Sequence, residues 1–381
     1  MRQAAFVYHE SQSSHVLRED HPLRPHRLAC TYELLRSYGA FDLPGSRLVS
    51  PPPATEEEIL AVHTPDYLAA VKAFSRGDRP VSPARYNFSQ WGDNPIFPGM
   101  YEASALAAGA SLTAARLVAR GEVDVAFNPS GGLHHAGPNF ASGFCVFNDP
   151  AIAIAHLSAS GGQGLRVAYV DIDAHHGDGV QNAFYDTNQV LTISLHESGR
   201  YLFPGTGGVT EMGRGRGLGY SVNLPLAPHT GDAVYLWAFQ EVVPPLLSAF
   251  KPHIVVTQLG VDGYFRDPLA HLALTTEGYC QLFREFRRLC PSSGGPRWVA
   301  LGGGGYDIEA VARLWTLAYG VMMDQDWPDD IPVDYQERYG VKKLLDTSPP
   351  PWDAAVQGEA RGFAQESVAE IKRTIFPIHG L

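Results

Sequence analysis

What most narrows the folds open to this chain is a pattern that occurs five times: a short apolar run, without polar alternation, followed at once by a loop crowded with Asp, His and Gly. The runs lie at 123–127, 167–170, 190–194, 254–258 and 298–301. They lead into NPSGGLHH, DIDAHHGDG, LHES, LGVDGY and GGGGY respectively. Apolar runs this short, with no polar face, read as strands buried on both sides, which requires helices above and below them. Helical signals lie between them. Thr55 to Glu58 has capping-box spacing ahead of ILAVH, Asp149 with Pro150 reads as an N-cap followed by Pro, and 99–119, 232–250, 276–289 and 307–322 read as helices. The expected fold is therefore α/β, a central parallel sheet with helices on both faces. No repeat or long linker divides the chain, and the Pro-rich pieces at 50–53 and 348–351 read as edge loops, so 1–381 is expected to be one domain. Open sheets of this kind place ligands beyond the carboxyl ends of their strands, where all five polar loops fall.

Composition excludes several functions. The apolar runs fall short of the roughly 18–20 residues that span a bilayer. A net charge of -11, from 40 acidic against 29 basic residues, with no dense Lys/Arg stretch, argues against tracking a nucleic-acid backbone. Cys30, Cys145, Cys280 and Cys290 form no CxxC, which suits a reducing compartment and excludes a structural zinc finger. The expectation is a cytoplasmic protein without nucleic-acid or membrane partners.

The chemistry concentrates in D-I-D-A-H. Asp171, Asp173 and His175 are two apart at a strand end, so they point to one side while Ile172 and Ala174 face the packing. Two oxygens and an imidazole can bind a divalent metal, only one or two of the motif's acids need do so, and Asp262, in the loop after 254–258, is the natural candidate to complete the set. Zn²⁺, Fe²⁺ and Mn²⁺ would all accept this set. His134 and His135 sit in a Gly-Gly loop and are candidates for general acid and base, with Asp171 and Asp178 available to orient them. Tyr306 follows four glycines and could donate to an oxyanion. The Gly-rich segment 205–219 neither opens an evident helix nor carries a Lys-Ser/Thr pair, so it is not a phosphate loop.

These motifs, with HPLRPHRL, ASGFCVFND, FPGTG and YSVNLPL in the same order, resemble the zinc-dependent histone deacetylase superfamily on the arginase/deacetylase fold. The resemblance runs from about His21 to about Met323 and leaves the last fifty or so residues weakly assigned. HPLRPHRL and GDNPIFPGMYEASALAAG are most similar to the bacterial acetoin-utilisation deacetylases related to class I. It implies Zn²⁺ on Asp173, His175 and Asp262, with His135 as general base and then acid. It further implies electrostatic help from His134 paired with Asp171, orientation of His135 by Asp178, and donation to the carbonyl oxygen and oxyanion by Tyr306. Gly143, Phe144 and Phe203 would wall an acyl-lysine tunnel, Leu269 would sit at its mouth, Asp93 would bind the substrate backbone, and Arg27 and Cys145 would lie at the inner end. Structural K⁺ is implied near Asp171, Asp173, His175, Ser194 and Leu195, and again near Phe184, Thr187, Val190 and Tyr220.

The activity implied is removal of acetyl or a short acyl group from protein lysine. By analogy the substrate would be a metabolic enzyme such as acetyl-CoA synthetase. Leu269 stands where polyamine-specific relatives carry a gatekeeping Glu. A small-molecule deacetylase acting on acetylated polyamines or other amines is the alternative. A binuclear Mn ureohydrolase and a non-hydrolytic acyl-lysine binder are more distant readings.

Overall fold

In the computed structural model of the chain, which describes residues 2–159, 165–348 and 353–381, eight strands form one sheet. They are β1 (Ala4–Val7), β2 (Ser46–Val49), β3 (Val125–Asn128), β4 (Val167–Asp171), β5 (Val190–Glu197), β6 (Ser221–Leu226), β7 (Ile254–Gln258) and β8 (Arg297–Leu301). Their order is β2-β1-β3-β8-β7-β4-β5-β6, and every pairing is parallel. The five strands expected from the sequence are the five contiguous central ones. Alternate residues of β4 feed separate cores: Ala168 and Val170 pack on one face with Leu191, Ile193 and Val255, while Val167 and Tyr169 pack on the other with Val190 and Val256. Both faces of a central strand are apolar because each has a helical layer to bury, and each fully buried Val, Leu or Ile contributes about 1.5–3 kcal/mol.

The register aligns the chemistry. Asn128 pairs with Leu301, Leu301 with Gln258, Gln258 with Asp171, and Asp171 with Ser194, so the carboxyl ends of β3, β8, β7, β4 and β5 stand side by side. The loops that follow them therefore start from one row.

Several local expectations meet the structure closely. Thr55 and Glu58 form a reciprocal capping box, and helices occupy Met100–Ala119, Asp232–Phe250, Thr276–Leu289 and Ile308–Met323. Asp149 is a correction. It is the first residue of helix Asp149–Ala159, and the cap is Asn148, whose Oδ1 accepts from Ala151 N at 3.0 Å. The Asp149 carboxylate instead accepts from the amides of Gly132 (3.1 Å) and Leu133 (2.8 Å) and from the Ser111 hydroxyl. Most of the expected edge loop at 348–351 lies outside the described residues.

Among the described residues one helix, Asp232–Phe250, has the length and apolarity of a membrane span. Its apolar side chains Tyr235, Phe239, Val242 and Leu246 are fully buried in the core, which accounts for that apolarity. The weakly assigned carboxyl-terminal region contains helix Ala354–Thr374, which covers the β6 edge. Ser367 donates to the Pro225 carbonyl at 3.0 Å, and the Arg361 guanidinium lies 3.8 Å from the centre of the Trp237 ring.

Candidate active site

The loop after β4 turns its chain back on itself through its own carboxylates. Asp171 Oδ1 accepts from Asp173 N, and Asp173 Oδ1 from His175 N, each at 3.0 Å. These short loops place Asp173 and His175 against Asp262, four residues beyond β7. His175 Nδ1 is 2.8 Å from Asp262 Oδ2 and 3.1 Å from Asp173 Oδ1, and the three ligand atoms lie within 4.8 Å of one another in a buried cluster. The remaining oxygens are occupied. Asp173 Oδ2 accepts from Gln258 Nε2 (2.6 Å) and Gly304 N (2.7 Å), and Asp262 Oδ1 from Ala174 N (2.7 Å).

A cation fits this donor set. Burial, and then the neighbouring Asp173 charge, push Asp262 up to about 8; Asp173, although burial opposes it, is held well below the usual range by His134 and His175. Two buried carboxylates at this separation are costly without a positive charge between them. Gly304 must be glycine, since a Cβ there would stand 2.1 Å from Asp262 Oδ2.

Beside the trio, each imidazole of the His pair has a carboxylate behind it. His134 Nδ1 lies 2.7 Å from Asp171 Oδ2 and His135 Nδ1 2.7 Å from Asp178 Oδ1, while the two Nε2 atoms are 3.1 Å apart. Burial disfavours charge on His134, but the Asp171, Asp173 and Asp178 carboxylates together outweigh it and lift this ring to about 9. Burial, and then the His134 charge, lower His135 to about 4. One ring is thus charged and the other neutral at pH 7, a division suited to proton transfer. Tyr169 adds a 2.7 Å hydrogen bond to Asp171 Oδ2.

Aromatic rings flank this floor. Phe203 packs edge-on to His135, with centroids 5.1 Å apart, and Phe144 edge-on to Tyr306 at 5.8 Å. Gly143 and Phe144 both have positive φ, 50° and 70°, and a Cβ on Gly143 would collide with the His135 ring at 2.2 Å. Phe144 is held in that strained state by Asn94 Oδ1, which accepts its N–H at 3.0 Å, and by the His21 ring at 4.6 Å. A cavity of about 20 Å³, room for one water, is bounded by His134, His135, Gly143, Phe144, Asp173 and Tyr306. Arg27 and Cys145 line the same cavity. Arg27 donates to the carbonyls of Gly305 (2.8 Å) and Gly303 (2.7 Å).

The other expected residues lie further out. Asp93 is exposed on the loop whose carbonyl at 93 accepts from His21 (3.1 Å), and Leu269 is half-buried with its N–H on Asp267 Oδ1 (2.9 Å). Ser194 and Leu195 stand in β5 beside Asp171, and Ser194 Oγ is 2.8 Å from His196 Nδ1. Phe184, Thr187, Val190 and Tyr220 gather at the opposite, amino ends of β5 and β6, where the Tyr220 carbonyl accepts from Thr192 N. In the 205–219 segment the amides of Gly207 and Gly208 are already occupied by Glu211 Oε1, at 2.8 and 2.9 Å.

The histone deacetylase domain matches residues 21–322. The chain belongs to the histone deacetylase family. It is 40% identical over 343 residues to the acetoin utilization protein AcuC of Bacillus subtilis, covering 89% of this chain and 88% of that protein. It is also 37% identical over 354 residues to human histone deacetylase 1, covering 91% of this chain and 70% of that protein. Among solved structures, a histone deacetylase homologue from Aquifex aeolicus superimposes with a TM-score of 0.86 at 31% identity, over 97% of this chain and all of that one. A histone deacetylase homologue complexed with SAHA gives 0.84 at 31% identity, over 98% of this chain and all of that one. The chain is accordingly a deacetylase, a hydrolase of a metal-dependent family, on the deacetylase fold. Gln258 and Asp149 also shape this deacetylase site, roles that sequence reasoning missed, since it read Gln258 only as a strand end and Asp149 only as a helix cap. Each acts on a backbone amide or ligand carboxylate far away in the chain, so no local spacing marks it.

Proposed function

We propose that this deacetylase hydrolyses the amide of Nε-acetyl-lysine, or of a short acyl-lysine, in proteins, using Zn²⁺ held by Asp173, His175 and Asp262. The observation that carries the reading is the buried Asp–His–Asp trio, one member of which, Asp173, lines a small cavity together with the paired imidazoles and Tyr306, with Phe144 against Tyr306 and Phe203 against His135. When bound, a divalent ion there supplies Lewis-acid polarisation of the amide carbonyl and lowers the pKa of water. The remaining work belongs to the chain. His135, neutral, takes the proton of the attacking water and returns it to the lysine nitrogen as the C–N bond breaks. His134, charged and backed by Asp171, stabilises the negative charge that develops, and Asp178 fixes the ring of His135. The Tyr306 hydroxyl, kept protonated by burial, donates to the carbonyl oxygen as it becomes an oxyanion.

Phe144, Phe203 and Gly143 would line the acyl-lysine stem, Leu269 would meet the chain at the rim, and exposed Asp93 would accept from the substrate backbone. The two K⁺ positions belong to the same proposal. So does a cytoplasmic location, which the four buried free cysteines favour. An acetylated metabolic enzyme such as acetyl-CoA synthetase is the substrate we propose, supported by a relative named for acetoin utilisation.

The test compares zinc-loaded protein on an acetyl-lysine peptide, a longer acyl-lysine peptide and an acetylated polyamine. Turnover fastest on the acetyl peptide, and about 100-fold or more slower in Tyr306→Phe and His135→Ala, is expected. Faster polyamine turnover would overturn the substrate, and near-parental rates in both variants would overturn the roles.

A further inference from the structure

Four consecutive glycines lead into Tyr306, and two of them, Gly303 and Gly305, have φ of 138° and 136°. A loop with no side chains cannot position the phenol by its own packing, so the position must be imposed from outside. Two restraints belong to the site already described: Arg27 on the carbonyls of 303 and 305, and Asp173 on the amide of 304. The third does not. Asp267 Oδ2 accepts the Tyr306 N–H at 2.8 Å, while its Oδ1 accepts the Leu269 N–H at 2.9 Å. A parallel cross-link lies one residue away, where Arg266 Nε meets Asp307 Oδ2 at 3.3 Å; Asp307 in turn caps helix Ile308–Met323. The segment 266–269 is therefore laced to 306–307, and one carboxylate holds both the expected rim residue and the expected oxyanion donor.

We propose that Asp267 is a positioning residue: it sets the Tyr306 phenol through the amide of residue 306 and fixes Leu269 relative to it. The inference rests on the role given to Tyr306 above. Asp267 touches no reacting atom. Its effect on the chemical step runs through Tyr306, and its effect on substrate affinity through Leu269. Asp267→Asn keeps the shape but turns an N–H donor toward one of the two amides, and Asp267→Ala frees both.

The experiment measures kcat and KM on the acetyl-lysine peptide for both variants, in the parental background and in Tyr306→Phe, together with amide hydrogen exchange. Expected is a loss in kcat of about ten-fold for Asp267→Asn and more for Asp267→Ala, the scale of a misplaced catalytic group. In Tyr306→Phe the same substitutions should change kcat less than about two-fold, because the group they act through is already gone. Exchange should quicken in peptides covering 303–308 and stay unchanged in β4 and β7, which shows the variants to be folded. Equal kcat losses in both backgrounds, or none, would overturn the inference. If the parent does not turn over the peptide, the substrate reading fails, and exchange alone then decides Asp267: faster at 303–308 supports it, unchanged overturns it.

Discussion

Asp149 shows how a single buried carboxylate can serve a site it never touches. It is fully buried, and burial raises its carboxyl to about 6 despite hydrogen bonds from Ser111, Leu133 and Gly132. The amides it holds lie just ahead of the His pair, so it places the loop from which His134 and His135 project. Folding takes up a proton at this group between its ordinary value of 3.8 and about 6. Its contribution to stability is therefore full below the lower value and is lost as pH rises through the upper one. Asp149→Asn, which cannot titrate, should gain on the parent as pH rises across that window. Thermal melts of both proteins at pH 4, 5, 6 and 7 check this; a constant difference in Tm would show that Asp149 keeps an ordinary pKa. Such a role is illegible in sequence, where Asp149 beside Pro150 has the appearance of a helix cap. The convergence of Asp173 and His175 was legible because it follows from spacing at a strand end, and Asp262 joins them because β7 lies beside β4.

At the scale of elements, the loop that carries Phe203 and the helix that carries Asp178, the partner of His135, are joined by side chains of opposite hydrogen-bonding character. Helix Asp178–Ala183 carries Asp178 and Gln181, and the 203–211 loop carries Phe203 and Glu211. Gln181 Nε2 donates to Glu211 Oε2 at 2.9 Å, and its Oε1 accepts from Ser221 (2.8 Å), Asn223 (2.6 Å) and His176 (3.2 Å). Glu211→Gln sets amide donors against each other, and Gln181→Glu sets carboxylate against carboxylate. Each single change should cost about 1–3 kcal/mol and raise KM for the peptide, because the Phe203 loop loses its anchor. The double variant restores one donor facing one acceptor and should recover most of both losses. Additive losses in the double variant, by melting and by KM, would show that the two residues act separately.

The strands were legible where an unbroken apolar run led straight into a polar loop, and burial alone was not enough, since β1 and β6 are buried along their whole length and were missed. The five central strands have apolar residues on both faces and announce themselves, whereas β2 is largely exposed and β6 is broken by Asn223 and Pro225, which an edge strand tolerates. Helix Ala354–Thr374 buries a narrow stripe, Ala360, Ala364, Ser367, Val368 and Ile371, and its small residues give a weak pattern.

Across the whole molecule, the ion proposed for the site would join the middle of the sheet. Its ligands come from the loops after β4 and β7, neighbouring central strands, and Gln258 and Gly304 extend the same contacts to β7 and the loop after β8. Removing the ion leaves Asp173 and Asp262 facing each other in the interior, so the apoprotein should melt lower. Zinc at 100 times its Kd should restore about 2.7 kcal/mol if it binds only the folded chain. Asp262→Asn separates the two contributions. It removes a ligand and also the crowded charge, so its metal-free form should be at least as stable as the metal-free parent above pH 8, where the parent's Asp262 is ionised. It should gain nothing from added zinc. Melting curves of chelated and zinc-loaded parent and variant at pH 7 and 8.5 test both statements. A variant still stabilised by zinc would move the metal away from Asp262, and a parent indifferent to chelation and zinc would mean that the trio closes on its own hydrogen bonds. The central sheet would then owe its stability to the two apolar layers alone.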